Sequence, residues 1–359
     1  KAWFDTSSFD GQPPKVHDIV RLKDHAATLK MIADHGSHPF YQGKVAHQIA
    51  AESHKFGGFI TYEDLANYQA EWVDPIIGYY RGYQIAQIPP NTQGILVLMA
   101  LNILEQLSPP TSMSNKWMHQ QIEAIKIAFA DGFAHIADLK HMKKDMHDFL
   151  DDHYGKEKAT WIKSHAQTYT DQKPHSSGTV YLATADRFGN MVSLIQSNYT
   201  GFGSGMVVPN TGIALNNRGA CFSLDPKHPN AVGPHKKAYD TIIPGFLLKD
   251  DVPIGPFGLM GGYMQPQGHV QLISNMIDFH QNPQTALNQP RWQWLQDAHV
   301  IVESTFSRHL IRQLRSKGHD VKVEESTALF GRGQIIQRLD NGTLIGAKEP
   351  RTDSHIACF

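Results

Sequence analysis

Cysteine is scarce in this chain of 359 residues, which contains only Cys221 and Cys358. Two cysteines cannot build a disulfide scaffold, and they leave the compartment open between cytoplasm and periplasm. An excess of charge is also lacking, because 33 Lys and Arg residues stand against 34 Asp and Glu residues. This balance gives no electrostatic basis for binding nucleic acid or an anionic membrane surface.

A long apolar run is missing as well. The longest stretch, GILVLMALNIL at 94–104, is too short to span a hydrocarbon core about 30 Å thick. We expect it to form a buried helix, with Val97, Leu101 and Leu104 on one side. No signal peptide is visible, and the chain opens at Lys1 without a methionine, so we expect it to begin within a longer protein.

The motifs of a metal or dinucleotide site are absent. Histidine is abundant, at 21 residues, but no HExxH motif or paired Cys/His spacing occurs. The GFGSG stretch at 201–205 lacks the G-x-G-x-x-G spacing and follows no βαβ pattern. We therefore expect solvated surface histidines, no catalytic metal and no cofactor.

Helical patterns dominate the first half of the chain. Apolar residues recur at helical spacing through 17–36, which ends at the C-cap candidate Gly36. Thr61 precedes Asp64 by three residues, in the pattern of a helix N-terminus. Residues 117–138 are strongly amphipathic. A polar region follows at 139–177, and its end has the composition of an exposed, mobile and cleavable linker.

The second half changes to the period of β-strands. Residues 179–186 and 191–197 flank an RFGN turn, which predicts a hairpin. A helix is predicted over 267–281. Further strand-like segments are 75–90 (turned at Gly82), 212–217, 241–251, 253–262 and 334–347 (turned at Asn341-Gly342).

Thr179 stands between the polar linker and the first strand of this hairpin. One interpretation is that a β-branched residue simply begins a strand. The other is that cleavage after Gly178 turns Thr179 into an amino terminus. Its α-amine, with a pKa near about 8, would then accept the proton of its own hydroxyl and make it a nucleophile.

A Gly-Gly pair, Gly261-Gly262, separates an apolar strand from a predicted helix. It is either a tight turn with positive φ or an oxyanion hole, in which backbone N–H groups stabilise the tetrahedral intermediate of an attacked amide. The residues alone leave both interpretations open.

From about residue 20 to its end, the chain resembles the gamma-glutamyltransferase (gamma-glutamyl transpeptidase) family of N-terminal-nucleophile hydrolases. Its pattern is nearest to the cephalosporin-acylase-like members. The matching stretches are, in order, HAATLKMIADHGSHPFYQG, GGFITYEDLANYQ, YYRGYQIAQIPPNTQG, EAIKIAFAD, TVYLATADRFGN, GFGSG, GIALNN, NAVGPHKKAYDTIIP, GLMGGY and EPRTD.

The resemblance implies an α+β fold, a four-layer αββα sandwich, and a precursor that cuts itself between Gly178 and Thr179. Residues 1–178 would be the C-terminal, mostly helical part of a large subunit, and 179–359 the small subunit with the nucleophile, both parts of one αββα domain. The N-terminal part of the large subunit, which supplies an arginine for the substrate's α-carboxylate, would be absent.

The resemblance also implies catalytic roles. Gly261 and Gly262 would form the oxyanion hole. Ser197 would support the nucleophile's hydroxyl, in a position where the family has Thr, and this change keeps the hydrogen-bonding group.

The substrate-binding positions depart from the family. Its Asn, Gln and Asp ligands for the glutamyl ammonium read Tyr199, Arg218 and Cys221, and its Ser-Ser pair for the carboxylate reads Asp240-Thr241. Desolvating an ammonium without its carboxylate partner would cost several kcal/mol. We therefore expect a substrate with another acyl group, with Arg218 facing an acidic acyl chain.

The sequence thus predicts a self-cleaving hydrolase or acyltransferase for small-molecule amides, with two subunits derived from one precursor and a homodimer as an open option. We expect water to be the preferred acyl acceptor. Two alternatives remain: a gamma-glutamyltransferase or glutathione hydrolase proper, and an inactive relative that never matures.

Overall fold

The computed structural model describes residues 6, 8, 11–170 and 178–359, and it shows a mixed α/β protein with mainly antiparallel sheets. Packing divides the chain into two compact units. The first comprises the residues up to Trp72 together with Thr200–Asn217, and the second comprises Val73–Tyr199 and Arg218–Phe359. Most of the predicted linker, 171–177, lies outside the described residues. The predicted border between the two subunits, at the Gly178-Thr179 bond, would arise by cleavage of the chain, and it stays a prediction.

The first unit is helical. The capping box predicted from Thr61 and Asp64 is confirmed, with both reciprocal hydrogen bonds present. A small apolar core forms around Val45, Ile49 and Val208. Its helices are α1 (Lys23–His35), α2 (His38–Tyr41), α3 (Lys44–Lys55) and α4 (Tyr62–Ala66).

Two predictions for this unit need correction. Helix α1 ends at Gly36 as predicted but begins only at Lys23, because Ile19 is 75% exposed and has no apolar surface to bury against. The predicted strand at 212–217 is reduced to an isolated bridge between Val207 and Ala214. The Leu215 N–H donates to the Met206 carbonyl beside this bridge, and the Leu215 carbonyl accepts from the Ser204 N–H. Gly203 and Gly205, with positive φ, turn the chain there, so the pairing does not extend into a strand.

The second unit contains three sheets. Six strands form the largest sheet in the order β1-β2-β5-β6-β10-β11, with antiparallel neighbours throughout. Strands β3 and β4 form the predicted hairpin, and β7-β8-β9 form a third sheet. The strands are β1 (Ile76–Tyr80), β2 (Tyr83–Gln87), β3 (Val180–Ala185), β4 (Met191–Gln196), β5 (Gly245–Lys249), β6 (Val252–Met260), β7 (Trp292–Gln296), β8 (His299–Glu303), β9 (Asp320–Glu324), β10 (Arg332–Arg338) and β11 (Leu344–Lys348).

Helices cover these sheets and build the core. The apolar run at 94–104 is a buried helix, as predicted, and Val97, Leu101 and Leu104 all belong to the core cluster. Among the helices that the structure describes, none combines the length and apolar character needed to cross a bilayer. The helices of this unit are α5 (Gly94–Glu105), α6 (Asn115–His135), α7 (Asp152–Ala159), α8 (Met264–Ile277), α9 (Pro283–Asn288) and α10 (Arg308–Ser316).

The largest sheet joins the two sides of the Gly178-Thr179 peptide bond. Strands β1 and β2 precede that bond, whereas β5, β6, β10 and β11 follow it. The junction is the β2–β5 ladder, in which Ile85 faces Leu247. Both side chains are buried, so this ladder would hold the two halves together without the connecting peptide.

Candidate active site

The hydroxyl groups of Thr179 and Ser197 face each other at the open end of the β3–β4 hairpin. The last paired residues of the ladder are Val180 and Gln196, so the next residue on each strand also lies opposite its partner. Thr179 Oγ1 donates a hydrogen bond to Ser197 Oγ at 3.0 Å. Ser197 Oγ in turn donates to the carbonyl oxygen of Gly178 at 3.0 Å. The nucleophile candidate is therefore connected, through one hydroxyl, to the peptide bond before it.

Ser197 has a fully occupied hydroxyl. Its oxygen also accepts a hydrogen bond from the Tyr199 N–H at 2.9 Å. A serine hydroxyl offers one donor and two acceptor sites, and all three are used here. The direction of its proton is consequently fixed towards Gly178. The backbone at Tyr199 has φ 76°, an uncommon value for a residue with a side chain, and this conformation turns its N–H back to Ser197.

Four of the predicted substrate-binding residues form one cluster around Arg218. Its Nη1 lies 2.8 Å from Asp240 Oδ1 and donates to Thr241 Oγ1 at 3.1 Å. The guanidinium also lies over the Tyr199 ring, 5.4 Å from its centroid. The expectation that Arg218 faces an acidic acyl chain is thereby weakened, because Asp240 already balances the cationic charge.

Burial decides the protonation of the neighbouring groups. It raises the pKa of Tyr199 to about 12, and contact with the Cys221 thiol adds to the increase. Burial also raises the pKa of Cys221, so its thiol is uncharged at neutral pH. The pKa of Asp240 is raised by burial as well, and the charge of Arg218 acts against this shift.

The Gly261-Gly262 pair forms a turn between β6 and α8, with φ 131° and 62°. The Gly261 carbonyl accepts a hydrogen bond from the Met264 N–H at 3.1 Å. Because a trans peptide directs its C=O and N–H in opposite senses, the Gly262 N–H points away from α8. Within 11–170 and 178–359, no group accepts a hydrogen bond from either glycine N–H. Two buried donors thus remain for an anionic oxygen at the positive end of a helix.

Tyr181 connects the strand that follows Thr179 to the strand that precedes this turn. A β-carbon on Gly258 would come within 2.4 Å of Tyr181 Cε2, so the ring lies directly against the glycine backbone. Tyr181 is two residues after Thr179, and Gly258 is three residues before Gly261. The nucleophile candidate and the oxyanion candidate therefore both lie close to this contact.

Sequence reasoning missed Gln93, which connects the two turns of the site. Its Nε2 donates to the Thr241 carbonyl at 2.8 Å and to the Gly262 carbonyl at 2.9 Å. The side chain is fully buried. A signal was available in the sequence, because a polar PPNTQG segment stands directly before the apolar run of α5.

A second group of residues that the sequence did not reveal surrounds the Arg218 cluster. Tyr239 and Tyr263 are stacked with ring centroids 5.9 Å apart. Asn230 donates to the Cys221 carbonyl at 2.7 Å and accepts from the Tyr239 N–H at 3.1 Å. These residues lie 9 to 42 positions apart in the chain, so local patterns carry no information about their contact.

A buried cluster of metal-ligating residue types lies elsewhere in the second unit, contrary to the expectation of solvated histidines. His119, Glu123 and His319 bring their ligand atoms within 4.8 Å of one another. Both Glu123 oxygens are engaged, one by the Lys126 ammonium at 2.8 Å and the other by the backbone N–H of Gln167 at 3.1 Å and the Tyr169 hydroxyl at 3.0 Å. Because Lys126 already supplies the positive charge that Glu123 requires, the donor set does not fit an additional cation.

Comparisons with known proteins identify relatives of the chain. The chain is 35% identical over 351 residues to the glutathione hydrolase-like YwrD proenzyme of Bacillus subtilis, covering 96% of this chain and 67% of that protein. It is 33% identical over 355 residues to the oxamate amidohydrolase proenzyme of Klebsiella pneumoniae, covering 97% of this chain and 67% of that protein.

A solved structure extends the similarity to three dimensions. The cephalosporin acylase from Bacillus halodurans superposes with a TM-score of 0.96 at 49% identity, covering 100% of this chain and 66% of that chain. The chain thus spans about two thirds of the length of the relatives it matches. The family model of gamma-glutamyltranspeptidase matches residues 1–359. The chain therefore belongs to the gamma-glutamyltranspeptidase family, whose relatives named above are hydrolases and acylases acting on amide bonds.

Proposed function

We propose that this protein is a self-cleaving amidohydrolase or acyltransferase that acts on acyl amides through an acyl-enzyme at Thr179. The observation that carries the proposal is the hydrogen-bonded series from Thr179 through Ser197 to the Gly178 carbonyl. It connects an attacking hydroxyl to the bond that this hydroxyl would cut. Membership of a family with relatives named as proenzymes supports the same conclusion.

In the first step, Thr179 Oγ attacks the Gly178 carbonyl carbon. Its proton moves to Ser197, whose own proton moves to the carbonyl oxygen, so no charge needs to develop. The tetrahedral intermediate collapses with loss of the C–N bond, its hydroxyl proton passes to the departing nitrogen, and an ester remains. Water then hydrolyses the ester, which leaves a Gly178 carboxylate and a free Thr179 α-amine.

In turnover, the Thr179 α-amine accepts the hydroxyl proton while Oγ attacks the substrate carbonyl. The N–H groups of Gly261 and Gly262 stabilise the oxyanion, at about 2.7–4 kcal/mol for each donor. The protonated amine then gives its proton to the leaving amine. Water, activated by the same amine, releases the acyl group; a second amine in place of water gives transfer.

We also propose that residues 1–178 and 179–359 become two subunits of one four-layer αββα domain. The β2–β5 ladder supports this, because it joins strands from both sides of the cleavage point. Packing of Tyr181 on Gly258 sets the β3–β4 sheet face to face with the largest sheet. Val180 and Leu182 are 64% and 40% exposed, a surface that a further helical layer would cover.

The substrate that we propose is an amide whose acyl group is uncharged where it meets Arg218. The guanidinium is balanced by Asp240, and the thiol of Cys221 is neutral, so the cluster has no net charge to offer. The buried rings of Tyr199 and Tyr263 stand beside it, the first under the guanidinium and the second stacked on Tyr239. Such a lining favours an apolar acyl chain over a free amino acid.

One observation favours the second candidate, a gamma-glutamyltransferase or glutathione hydrolase. Asp240 and Arg218 present opposite charges 2.8 Å apart, and a glutamyl group carries both an ammonium and a carboxylate. Each half of the pair would bind the opposite charge of the substrate. The ion pair would have to open for this to occur, which is why we place it second.

Two measurements on the purified protein test the proposal. Denaturing electrophoresis with amino-terminal sequencing should give two fragments, one of which begins at Thr179, whereas Thr179→Ala should give a single chain. Hydrolysis of 4-nitroanilides with acetyl, phenylacetyl, glutaryl and γ-glutamyl groups should favour the uncharged acyl groups. Size-exclusion chromatography of the same sample distinguishes a single pair of subunits from a homodimer.

Three results would count against the proposal. An uncut wild-type chain with no activity identifies an inactive relative. Cleavage at another bond excludes Thr179 as the nucleophile. Preference for the γ-glutamyl anilide selects the second candidate.

A further inference from the structure

Two turns carry the groups that our proposed function uses, and a single side chain bridges them. The turn at Asp240-Thr241 contacts Arg218, and the turn at Gly261-Gly262 carries the two free N–H groups. They are separated by 19 residues of sequence. Gln93 comes from a third segment and donates one hydrogen bond to each of them.

The geometry of a primary amide makes this bridge specific. The Nε2 atom of Gln93 carries two N–H bonds about 120° apart in one plane, so the two acceptors must lie in fixed directions. The acceptors are the carbonyls of Thr241 and Gly262, at 2.8 Å and 2.9 Å. The amide therefore fixes both the distance and the orientation of the two turns.

Gln93 is itself held rigidly. Its backbone N–H donates to the Asp240 carbonyl at 2.9 Å, and its Oε1 accepts from the Tyr239 hydroxyl at 3.4 Å. The residue is 0% exposed and stands directly before α5. Gly94 follows, and its backbone packs so closely on the Gln87 side chain that an added β-carbon would come within 2.9 Å of Gln87 Cβ.

Gln93 affects the oxyanion turn and the Arg218 ion pair through the backbone that it holds. The Gly262 carbonyl also accepts from the Gln265 N–H at 3.1 Å, so Gln93 and α8 hold it together. The Thr241 hydroxyl accepts from Arg218, so a shift of Thr241 moves the ion pair as well. We infer that Gln93 is a positioning residue that sets the acyl-binding turn against the oxyanion turn, an inference that rests on the proposed function.

The test compares Gln93→Met and the isosteric Gln93→Glu with Gln271→Met. Gln271 is a matched control, because its Nε2 also donates to two carbonyls, those of Gln267 and Trp292, and it is 6% exposed. It contacts neither turn. Kinetics with the best acyl anilide and hydrogen–deuterium exchange are measured on all four proteins.

We expect both Gln93 variants to lower kcat by about 10–100-fold, since a displaced oxyanion donor acts in the transition state, and to raise KM. Exchange should become faster in 240–243 and in 261–265 together. In Gln271→Met, kcat, KM and exchange in both turns should stay as in the wild type.

The inference is overturned if the Gln93 variants keep wild-type kcat and KM, or if exchange changes in one turn only. It is also overturned if Gln271→Met loses as much kcat, or if both Gln93 variants fail to fold while Gln271→Met folds, because Gln93 would then serve the core alone. A wild-type protein without activity disproves the proposed function instead, and coupled exchange in the two turns still decides whether Gln93 bridges them.

Discussion

The ring of Tyr181 lies against Gly258 so closely that a β-carbon at Gly258 would come within 2.4 Å of the ring. Tyr181 is buried, at 6% exposure, and its hydroxyl is 2.9 Å from Ser193 Oγ on the neighbouring strand. The contact leaves no room for the ring to tilt away. The position of Thr179, two residues earlier, is consequently set by the absence of a side chain at Gly258.

Gly258→Ala should therefore displace the start of β3 and slow cleavage before Thr179. A rate loss of about tenfold corresponds to 1.4 kcal/mol in the activation free energy, which is modest for an overpacked site. The cut fraction is followed on a denaturing gel. Gly78→Ala is the control, because the three atoms nearest to its β-carbon belong to the Leu98 side chain, at 3.0–3.3 Å, and it should cleave normally. Equal cleavage rates in the two variants would contradict the prediction.

Ser197→Ala should slow cleavage by a factor on the order of 100, because the Gly178 carbonyl loses its donor and Thr179 loses its acceptor. Ser197→Thr keeps the hydroxyl and should cleave within a few-fold of the wild type. The measurement is a time course of the freshly purified precursor. Fast cleavage of Ser197→Ala would exclude a role for this hydroxyl.

Asp240→Asn should shift the acyl preference towards acidic groups. The substitution leaves the Arg218 charge without its carboxylate partner at 2.8 Å, so a glutaryl chain gains a site for its carboxylate. We expect kcat/KM for the glutaryl anilide to rise at least about tenfold relative to the phenylacetyl anilide, an amount equal to about 1.4 kcal/mol. Asp251→Asn, an exposed position, is the control. An unchanged ratio would show that acyl groups do not reach Arg218.

Glu349→Gln should destabilise the fold by about 3–5 kcal/mol, because it leaves the buried guanidinium of Arg291 without its carboxylate, whereas Arg351 keeps Glu303. Arg291 and Arg351 lie 2.8 Å and 2.7 Å from Glu349, which is fully buried. Burial acts to raise the pKa of Glu349, but the two arginines lower it overall. Urea unfolding at pH 7 measures the loss. The exposed Asp320→Asn, next to Lys322, should change the free energy of unfolding by less than about 0.5 kcal/mol.

The stability of the protein should fall as the pH drops below about 6.5. Burial lowers the pKa of His269 to about 3, so between that value and about 6.5 the unfolded chain binds a proton that the folded chain does not. The stabilising contribution is complete above pH 6.5 and is lost progressively towards pH 3. In His269→Gln the free energy of unfolding should depend on pH less steeply by about 1.4 kcal/mol per unit in this window. Equal slopes below pH 6.5 would exclude His269 as the cause.

Local sequence patterns predicted the elements whose determinants are local. The capping box at Thr61, the hairpin of β3 and β4 and the turn at Gly342 each depend on residues within a few positions of one another. The start of α1 was wrong, because the exposed residues before Lys23 have helical spacing but no surface to pack against.

The site was predictable in its residues but not in its contacts. The resemblance led to Arg218 and Asp240, yet their ion pair joins positions 22 residues apart and changes what Arg218 can bind. Gln93 was missed because its role arises from two carbonyls 21 positions apart, which no spacing rule relates to it. The balance of charge at Arg218 and the bridge formed by the Gln93 amide both depend on contacts that exist only once the chain has packed.

The single proton of Ser197 has one further consequence. While the Gly178-Thr179 peptide is intact, that proton is committed to the Gly178 carbonyl, and the Thr179 nitrogen is an amide with no basicity. The uncut precursor would then be inactive without any inhibitory segment. The intact Gly178-Thr179 bond occupies the hydrogen-bond donor of Ser197 and keeps the Thr179 nitrogen from acting as a base. The shift of the acyl group to Thr179 Oγ would free the amine, and hydrolysis of the resulting ester would free the hydroxyl, so the complete machinery would exist only after the second step.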